Sequence, residues 1–378
     1  MKVLIAVTHL LGTGHLSRAL TLGRAFAAQD HQVVLASGGF PVPQLQTDGV
    51  TFVQLPPLRS DGVNFTHLLA SDGTTADETY LDARSDLLCQ TLKSLQPDIL
   101  ITELYPFGRR VLASEFLSLL QAAHQMPQRP VILSSIRDIL APPSKPKKAT
   151  AADEAIAKWY DAVLVHSDPT ATTLDISWPV SPLLETKLRY TGFVTPALPS
   201  PHPHDLGKDE ILVTAGGGSV GDTLYETALA AARIDTHHTW RLLVGGSDAT
   251  ARIERLQTID SPAILEPARP DFRQMLCHAT ALVGMCGYNT TMDLLQTGVP
   301  SVLIPFDAGN EVEQSLRATS LARMNGINVI SSADLTPSIL ISAMTRALAA
   351  PPRRTGSIAF DGAAQTVDIA CQMAQERQ

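Results

Sequence analysis

The sequence predicts an α/β protein built as two doubly wound parallel-sheet domains that face each other across a shared ligand cleft. Three observations carry that expectation. Short β-branched runs alternate with helix-length amphipathic stretches from one end to the other, which is the pattern of βαβ crossovers. The strand candidates are continuously apolar, as expected of strands covered on both faces. A single proline-rich stretch interrupts the alternation and divides the strand candidates into two sets of six. Facing sheets of this kind place their ligand sites at the C-terminal ends of the strands.

In the first half the strand candidates are residues 3–7, 33–36, 52–55, 99–102, 131–134 and 162–166, with helices over 16–28, 79–95 and 111–123. Between residues 195 and 204 the sequence Thr-Pro-Ala-Leu-Pro-Ser-Pro-His-Pro-His holds four prolines in ten residues. Proline removes a backbone donor and fixes φ, so this stretch is expected to be a stiff linker over 195–209. Ala141-Pro-Pro-Ser-Lys-Pro-Lys-Lys reads as a surface loop. In the second half the strands are 211–214, 241–244, 263–265, 281–284, 301–304 and 328–330, with a helix over 312–324. The expected domains are 1–194 and 210–360, and a last helix over 362–375 belongs to the tail 361–378.

The 378 residues carry 29 basic and 37 acidic side chains, a net charge of −8. Beyond Lys145-Pro-Lys-Lys148 there is no basic run, so nucleic acid is not an expected partner. An apolar fraction of 44% is too high for a disordered chain. No apolar run reaches the roughly 20 residues of a membrane-spanning helix. The apolar start lacks the length and cleavage site of a signal peptide, so a cytoplasmic protein is expected. Cys89, Cys277, Cys286 and Cys371 have no CxxC spacing and read as reduced thiols.

Three motifs could carry chemistry. The first, Thr8-His-Leu-Leu-Gly-Thr-Gly-His-Leu-Ser-Arg18, follows the first strand and opens a helix. Gly12 and Gly14 allow a tight turn and close approach of a ligand to the helix N-terminus. A dinucleotide fingerprint would need a third glycine where Ser17 stands and an acid where Ser37-Gly38-Gly39 ends the second strand, so that reading fails. His15 sits on the first helical turn, where an imidazole can take a proton near neutral pH. Glu103, closing the strand 99–102, either orients His15 or acts as base itself. Arg137 and Asp138 after the fifth strand are weaker candidates for acceptor contact.

The second motif, Gly216-Gly217-Gly218-Ser219, is a bare backbone loop suited to a diphosphate and lacks the Gly-Lys-Ser/Thr of an ATP-binding loop. The third runs from Gly284 to Pro305. Gly287 opens a turn in which Asn289 and Thr290 are expected to cap the following helix. Asp293, a turn further on, is placed to accept ribose hydroxyls, and Glu313 and Gln314 in the loop after the next strand suit sugar hydroxyls. There is no Asp-x-Asp to hold Mg²⁺ on a diphosphate, and His202, His204, His237 and His238 lack partner ligands at metal spacing. No metal is expected.

Taken together these motifs resemble the GT-B glycosyltransferases, especially the family 28-like branch around the peptidoglycan N-acetylglucosaminyltransferase. Gly287, Asp293, Gly298 and Pro300 keep the spacing of that branch's Gly-x(5)-Glu-x(4)-Gly-x-Pro donor motif, with Asp in place of Glu. Ile101 to Arg110 and the Gly-Tyr-Asn-Thr turn look like a predicted bacterial glycosyltransferase subgroup. The resemblance implies two Rossmann-like domains, a final helix returning to the first domain, and a nucleotide sugar, usually UDP-linked, held by the second. It implies an inverting, metal-independent transfer in bacterial glycan or glycolipid synthesis, with His15 as base. The acceptor would be lipid-linked or a small molecule, with contact at the inner membrane face; the apolar helix after Phe107-Gly-Arg-Arg invites such contact, but two arginines and an apolar face are thin support and it reads first as a buried helix. Gly12-Thr-Gly-His-Leu-Ser-Arg18 is also similar to the Gly-x-Gly-His-x-x-Arg of a UDP-sugar hydrolase of the same fold. A non-catalytic sugar-nucleotide binder is the remaining alternative.

Overall fold

A computed structural model describes residues 1–10, 13–42, 45, 47–60, 67–246, 248–307, 312–353 and 358–377. Gly12 lies outside the described residues. All twelve strand candidates form strands. The chain divides into two units, Met1–Pro196 with Ala359–Gln378, and Ala197–Ile358.

The first unit runs β1 (Lys2–Val7), α1 (Gly14–Ala27), β2 (Gln32–Gly39), β3 (Thr51–Ser60), β4 (Leu68–Leu69), α2 (Glu78–Leu95), β5 (Ile99–Glu103), α3 (Ala113–His124), β6 (Val131–Arg137), α4 (Pro146–Trp159), β7 (Ala162–His166), α5 (Pro182–Lys187) and β8 (Leu188–Tyr190). Its sheet has the order β4-β3-β2-β1-β5-β6-β7-β8, parallel except for the antiparallel pair β3–β4. Two short strands, β4 and β8, have too few apolar residues to be seen in the sequence.

The continuous hydrophobicity of β1 has a direct cause. Val3 and Ile5 pack on one side with Leu16, Leu20 and Phe26 of α1. Leu4 and Ala6 pack on the other with Leu88 and Leu92 of α2 and Phe116 and Leu119 of α3. Each residue from Val3 to Val7 is therefore covered, whichever face it points to.

The second unit runs β9 (Glu210–Thr214), α6 (Asp222–Ile234), β10 (Thr239–Val244), α7 (Ala249–Leu256), β11 (Ile264–Pro267), α8 (Phe272–Leu276), β12 (Ala281–Gly284), α9 (Tyr288–Thr297), β13 (Ser301–Leu303), α10 (Glu313–Leu321), β14 (Ile327–Val329) and α11 (Pro337–Ala349). Its parallel sheet has the order β11-β10-β9-β12-β13-β14. Ile211, Val213 and Val283 are buried against Leu224 and Ala228 of α6 and Leu340 and Met344 of α11.

A final helix, α12 (Gly362–Arg377), buries Val367, Ala370 and Ala374 in the same cluster as α1 of the first unit. Its approach is tied down by Phe193 N donating to Ala359 O at 2.8 Å and Gly362 N to Phe193 O at 3.1 Å.

Two sequence expectations need correction. Most of the proline-rich stretch is fastened to the second unit and is not a free linker. Arg273 donates to Ala197 O at 3.1 Å, the Cys277 thiol to Pro199 O at 3.4 Å, and His202 Nε2 lies 3.1 Å from an Asp271 carboxylate oxygen. Pro146, expected in a loop, is the first residue of α4, where its missing N–H costs nothing. The helix after Phe107 turns its apolar face inward. Phe107, Leu112, Phe116 and Leu119 are buried in the core, and Tyr105 stacks on Phe116 with ring centroids 4.7 Å apart. That is the buried helix the sequence favoured. Among the described residues no helix is long and apolar enough to cross a membrane.

Candidate active site

In the first sheet the chain leaves β1 in one direction to β2 and β3, then returns to the other side of β1 with β5. A crevice opens beyond the strand ends at such a switch point. The residues there are those that follow β1 and those that end β5, which are His15 and Glu103.

His15 is the second residue of α1, on its first turn. Its Nδ1 lies 3.0 Å from Glu103 Oε1. Glu103 is the last residue of β5 and only 2% exposed. It also accepts a hydrogen bond from Arg18 of α1 on Oε1 and one from the Ser135 hydroxyl on Oε2 at 2.6 Å. Burial pushes this carboxyl up. The Arg18 guanidinium, with the hydrogen bonds from His15 and Ser135, outweighs burial and holds it well below the usual carboxylate range.

An ionised Glu103 accepts only, so the His15 proton sits on Nδ1. His15 Nε2 then carries a lone pair, and among the described residues nothing is hydrogen-bonded to it. Burial lowers the imidazole to about 4 against the opposing pull of Glu103, so it is neutral at pH 7. Arg109 lies close by, lowered to about 10 chiefly by burial, with Glu103 pulling the other way and the charges of Arg137 and Arg18 adding to the lowering. Its Nε donates to Thr8 O at 2.6 Å. The imidazole is thus a neutral acceptor on a rigid helix, held by a fixed acid. The sequence placed both residues and left open which of them was the base; Glu103 is the more buried of the two. Asp138, the residue after β6, is buried.

Sequence reasoning missed the polar groups behind Glu103. Ser135 lies beside it in the β5–β6 register, and His166 is the last residue of β7. The available signal was a polar residue closing an apolar run, at the strand end where such sites form. The Ser37-Gly38-Gly39 stretch also gains a reason. A Cβ on Gly38 would collide with Arg84 and Thr8, and one on Gly39 with His9. Arg84 is fully buried and donates to Glu115 at 2.9 Å and to Gly38 O at 2.9 Å. The end of β2, where a dinucleotide enzyme keeps an acid, is filled by this pair.

The second sheet has its own switch point between β9 and β12. The loop after β9 carries Gly216, Gly217, Gly218 and Ser219. Gly216 has φ +83°, and a Cβ at 216 or 217 would meet nothing within 4 Å. The backbone there is bare, as the sequence expected. Ser219 Oγ donates to Asp248 at 2.5 Å.

After β12, Gly287 is the N-cap of α9 and makes no side-chain cap. Asn289 and Thr290 lie inside the first turn, so the expectation that they cap is wrong: the helix starts at Tyr288, before both of them. The open space at the Gly287 Cβ leaves the helix N-terminus approachable. Asp293 is partly buried, and Arg273 of α8 donates to its Oδ1 at 2.6 Å. Burial raises the Asp293 carboxyl against that partner. Glu313 and Gln314 open α10; the loop expected to carry them ends before them. Gln314 accepts from Phe306 N at 3.1 Å and so braces the strand-to-helix connection. Arg317, which the sequence did not flag, is buried, donates to Cys286 O at 3.1 Å and lies over the Tyr288 ring at 5.7 Å. It brings a cation next to the α9 N-terminus. Among the described residues no cluster of three His, Cys, Asp or Glu side chains could hold a metal ion.

Residues 211–368 match the glycosyltransferase family 28 C-terminal domain. A UDP-N-acetylglucosamine–N-acetylmuramyl-(pentapeptide) pyrophosphoryl-undecaprenol N-acetylglucosamine transferase of Bartonella tribocorum is 26% identical over 156 residues, 40% of this chain and 41% of that protein. The enzyme of the same name from Brucella suis is 28% identical over 155 residues, 39% of this chain and 41% of that protein. The chain thus matches less than half the length of these curated relatives. Among solved structures, MurG of Acinetobacter baumannii superposes with a TM-score of 0.60 at 15% identity, with all of both chains covered. The glycotransferase of kitacinnamycin superposes with a TM-score of 0.65 at 16% identity, covering 100% of this chain and 99% of that one. The two Rossmann-like sheets and the superposed structures give the chain the GT-B fold; its second unit carries the match to the glycosyltransferase family 28 C-terminal domain, and the chain resembles MurG.

Proposed function

We propose that the protein transfers a sugar from a nucleoside diphosphate sugar, UDP-linked, to an acceptor hydroxyl, with inversion and without a metal ion. The observation that carries this is His15, neutral, with Nδ1 held by buried Glu103 and Nε2 without a hydrogen-bond partner among the described residues. The acceptor hydroxyl gives its proton to His15 Nε2 as its oxygen bonds the anomeric carbon. The bond from that carbon to the diphosphate breaks, and the electron pair leaves with UDP. A single displacement inverts the anomeric centre. Positioned proton removal contributes about 10²–10⁴-fold.

The second unit is assigned the donor. The open backbone of Gly216–Ser219, the N-terminus of α9 and Arg317 would meet the charge growing on the leaving diphosphate, the kind of fixed electrostatics expected to dominate such a step. Asp293 is assigned the ribose, which it would share with Arg273. The acceptor is proposed to be lipid-linked, as the names of the Bartonella and Brucella relatives state for theirs, which would bring the protein to the inner face of a membrane.

Calorimetry of the full chain with UDP, ADP, GDP and TDP tests the donor assignment: UDP binds most tightly, and equal binding of all four ends it. One observation favours a second reading. Arg18, the arginine of the hydrolase-like motif, binds the orienting acid directly, and the same base could activate water. UDP release that needs no acceptor would select hydrolysis.

A further inference from the structure

The polar groups behind Glu103 form a continuous chain. Ser135 Oγ lies 2.6 Å from Glu103 Oε2 and 2.9 Å from His166 Nε2. His166 Nδ1 lies 2.9 Å from Thr191 Oγ1. Every member is buried, so each polar atom must be paired within the protein.

The protons can be placed. Ser135 has one hydrogen and faces two acceptors, and the ionised, closer carboxylate takes it. His166 Nε2 must then carry a proton and donate to Ser135 Oγ. Burial, with the nearby Arg18 charge, lowers His166 to about 3, so the ring is neutral and its Nδ1 has no proton. Thr191 therefore gives its hydrogen to Nδ1, although Gly192 O is also in reach at 2.8 Å. Donating to Gly192 would demand a second proton on a fully buried ring.

We propose that His166 and Thr191 are positioning residues for His15: a one-way chain, Thr191 to His166 to Ser135 to Glu103, aims every hydrogen at the acid. With Oε2 occupied by Ser135, Glu103 turns Oε1 to His15 Nδ1 and Arg18, and this fixes the tautomer that leaves His15 Nε2 bare. The charged groups around the acid are Arg18 from α1 and Arg109 from the turn after β5, with Arg137 from β6 acting on Arg109; the His15 ring that faces the acid is neutral. The neutral members come from β6, β7 and the segment after β8. Three consecutive parallel strands thus deliver one group each to the same line. The inference concerns the state of the base and rests on the proposed function only for the claim that the base is used.

The test is ¹⁵N NMR of the imidazoles in the full chain at neutral pH, without substrate. The expected spectrum has the His166 proton on Nε2 and the His15 proton on Nδ1. A His166 proton on Nδ1 overturns the chain, because Ser135 would then give its hydrogen to His166 and not to Glu103. Replacing His166 with leucine removes the donor to Ser135. His15 should then titrate at higher pH, because the less satisfied carboxylate holds the imidazolium more strongly. Turnover should fall on the order of tenfold at unchanged KM, the scale seen when groups behind a reacting residue are lost. His166→Gln keeps an N–H for Ser135 and an oxygen for Thr191 and should restore both. A leucine variant that folds and leaves the His15 titration unmoved contradicts the proposal; if it does not fold, the wild-type tautomers decide. The expected tautomers without sugar transfer would leave the chain standing and refute the transferase reading alone.

Discussion

Burial works on His15 and Glu103 in opposite ways, and the difference divides their roles. Glu103 is kept charged by Arg18 and the hydrogen bonds it accepts, while His15 is kept neutral by desolvation. His15→Ala should lower turnover by about 10²–10⁴-fold with little effect on folding, measured as UDP release in the presence of acceptor. Glu103→Gln should lower turnover through the tautomer and also destabilise the protein, since Arg18 would be left buried beside a neutral group. Stability should depend on pH with a definite sign. Folded His15 near 4 and His166 near 3 lie below their ordinary value of 6.5, so the unfolded chain binds more protons between those values. Stability is full above about pH 6.5 and falls as the pH drops toward 4, and Glu103, also lowered, adds loss of the same sign further into acid. Urea titrations at pH 7.5 and pH 4.5 check this; equal midpoints would contradict it.

Strand ends and helix starts carry both sites, and legibility differed between them. Most of the twelve main strands could be read because two-sided burial writes an unbroken apolar run; β3, β11 and β14 are only partly buried and carry shorter runs. β4 and β8, with two and three residues, write no run at all. His15 and Glu103 were legible because a Gly-x-Gly turn and a charge closing an apolar run are local features. Arg317, Ser135 and His166 were not, since their partners lie on other strands or helices and only the folded sheet brings them together. The capping expectation for Asn289 and Thr290 failed because Gly287 takes the extended N-cap backbone, with φ −66° and ψ 152°, and leaves the two polar residues within the helix. The glycines ending β2 give an element-scale prediction. Gly38→Ala puts a methyl into the Arg84–Thr8 contact and should cost about 1–3 kcal/mol in a denaturant midpoint assay. On the donor side, Arg317→Met should weaken UDP binding in calorimetry while preserving the bulk over Tyr288; unchanged affinity would remove Arg317 from the diphosphate.

Over the whole molecule, one architecture is used twice, with its strand ends put to different work. The first unit sets an imidazole against a buried acid and sequesters the end of β2 with Arg84 and Glu115. The second leaves its glycine loop and the start of α9 open. α12 returns to the first unit, where Val367 is fully buried against the face of α1; Val367→Ala should lower stability by about 1–3 kcal/mol without altering UDP affinity. The net charge of −8 excluded nucleic acid but said nothing of an anionic donor, because helix ends, backbone amides and buried arginines create local fields that a sum over the chain averages away. The central claim is acceptor-dependent transfer with His15 as base. Its most direct test is UDP release from a panel of UDP-sugars by the full chain and by His15→Ala, each with and without lipid-linked and small-molecule acceptors. The account predicts release that requires an acceptor and falls at least about a hundredfold in the variant; release at the same rate without acceptor, or untouched by the substitution, would contradict it.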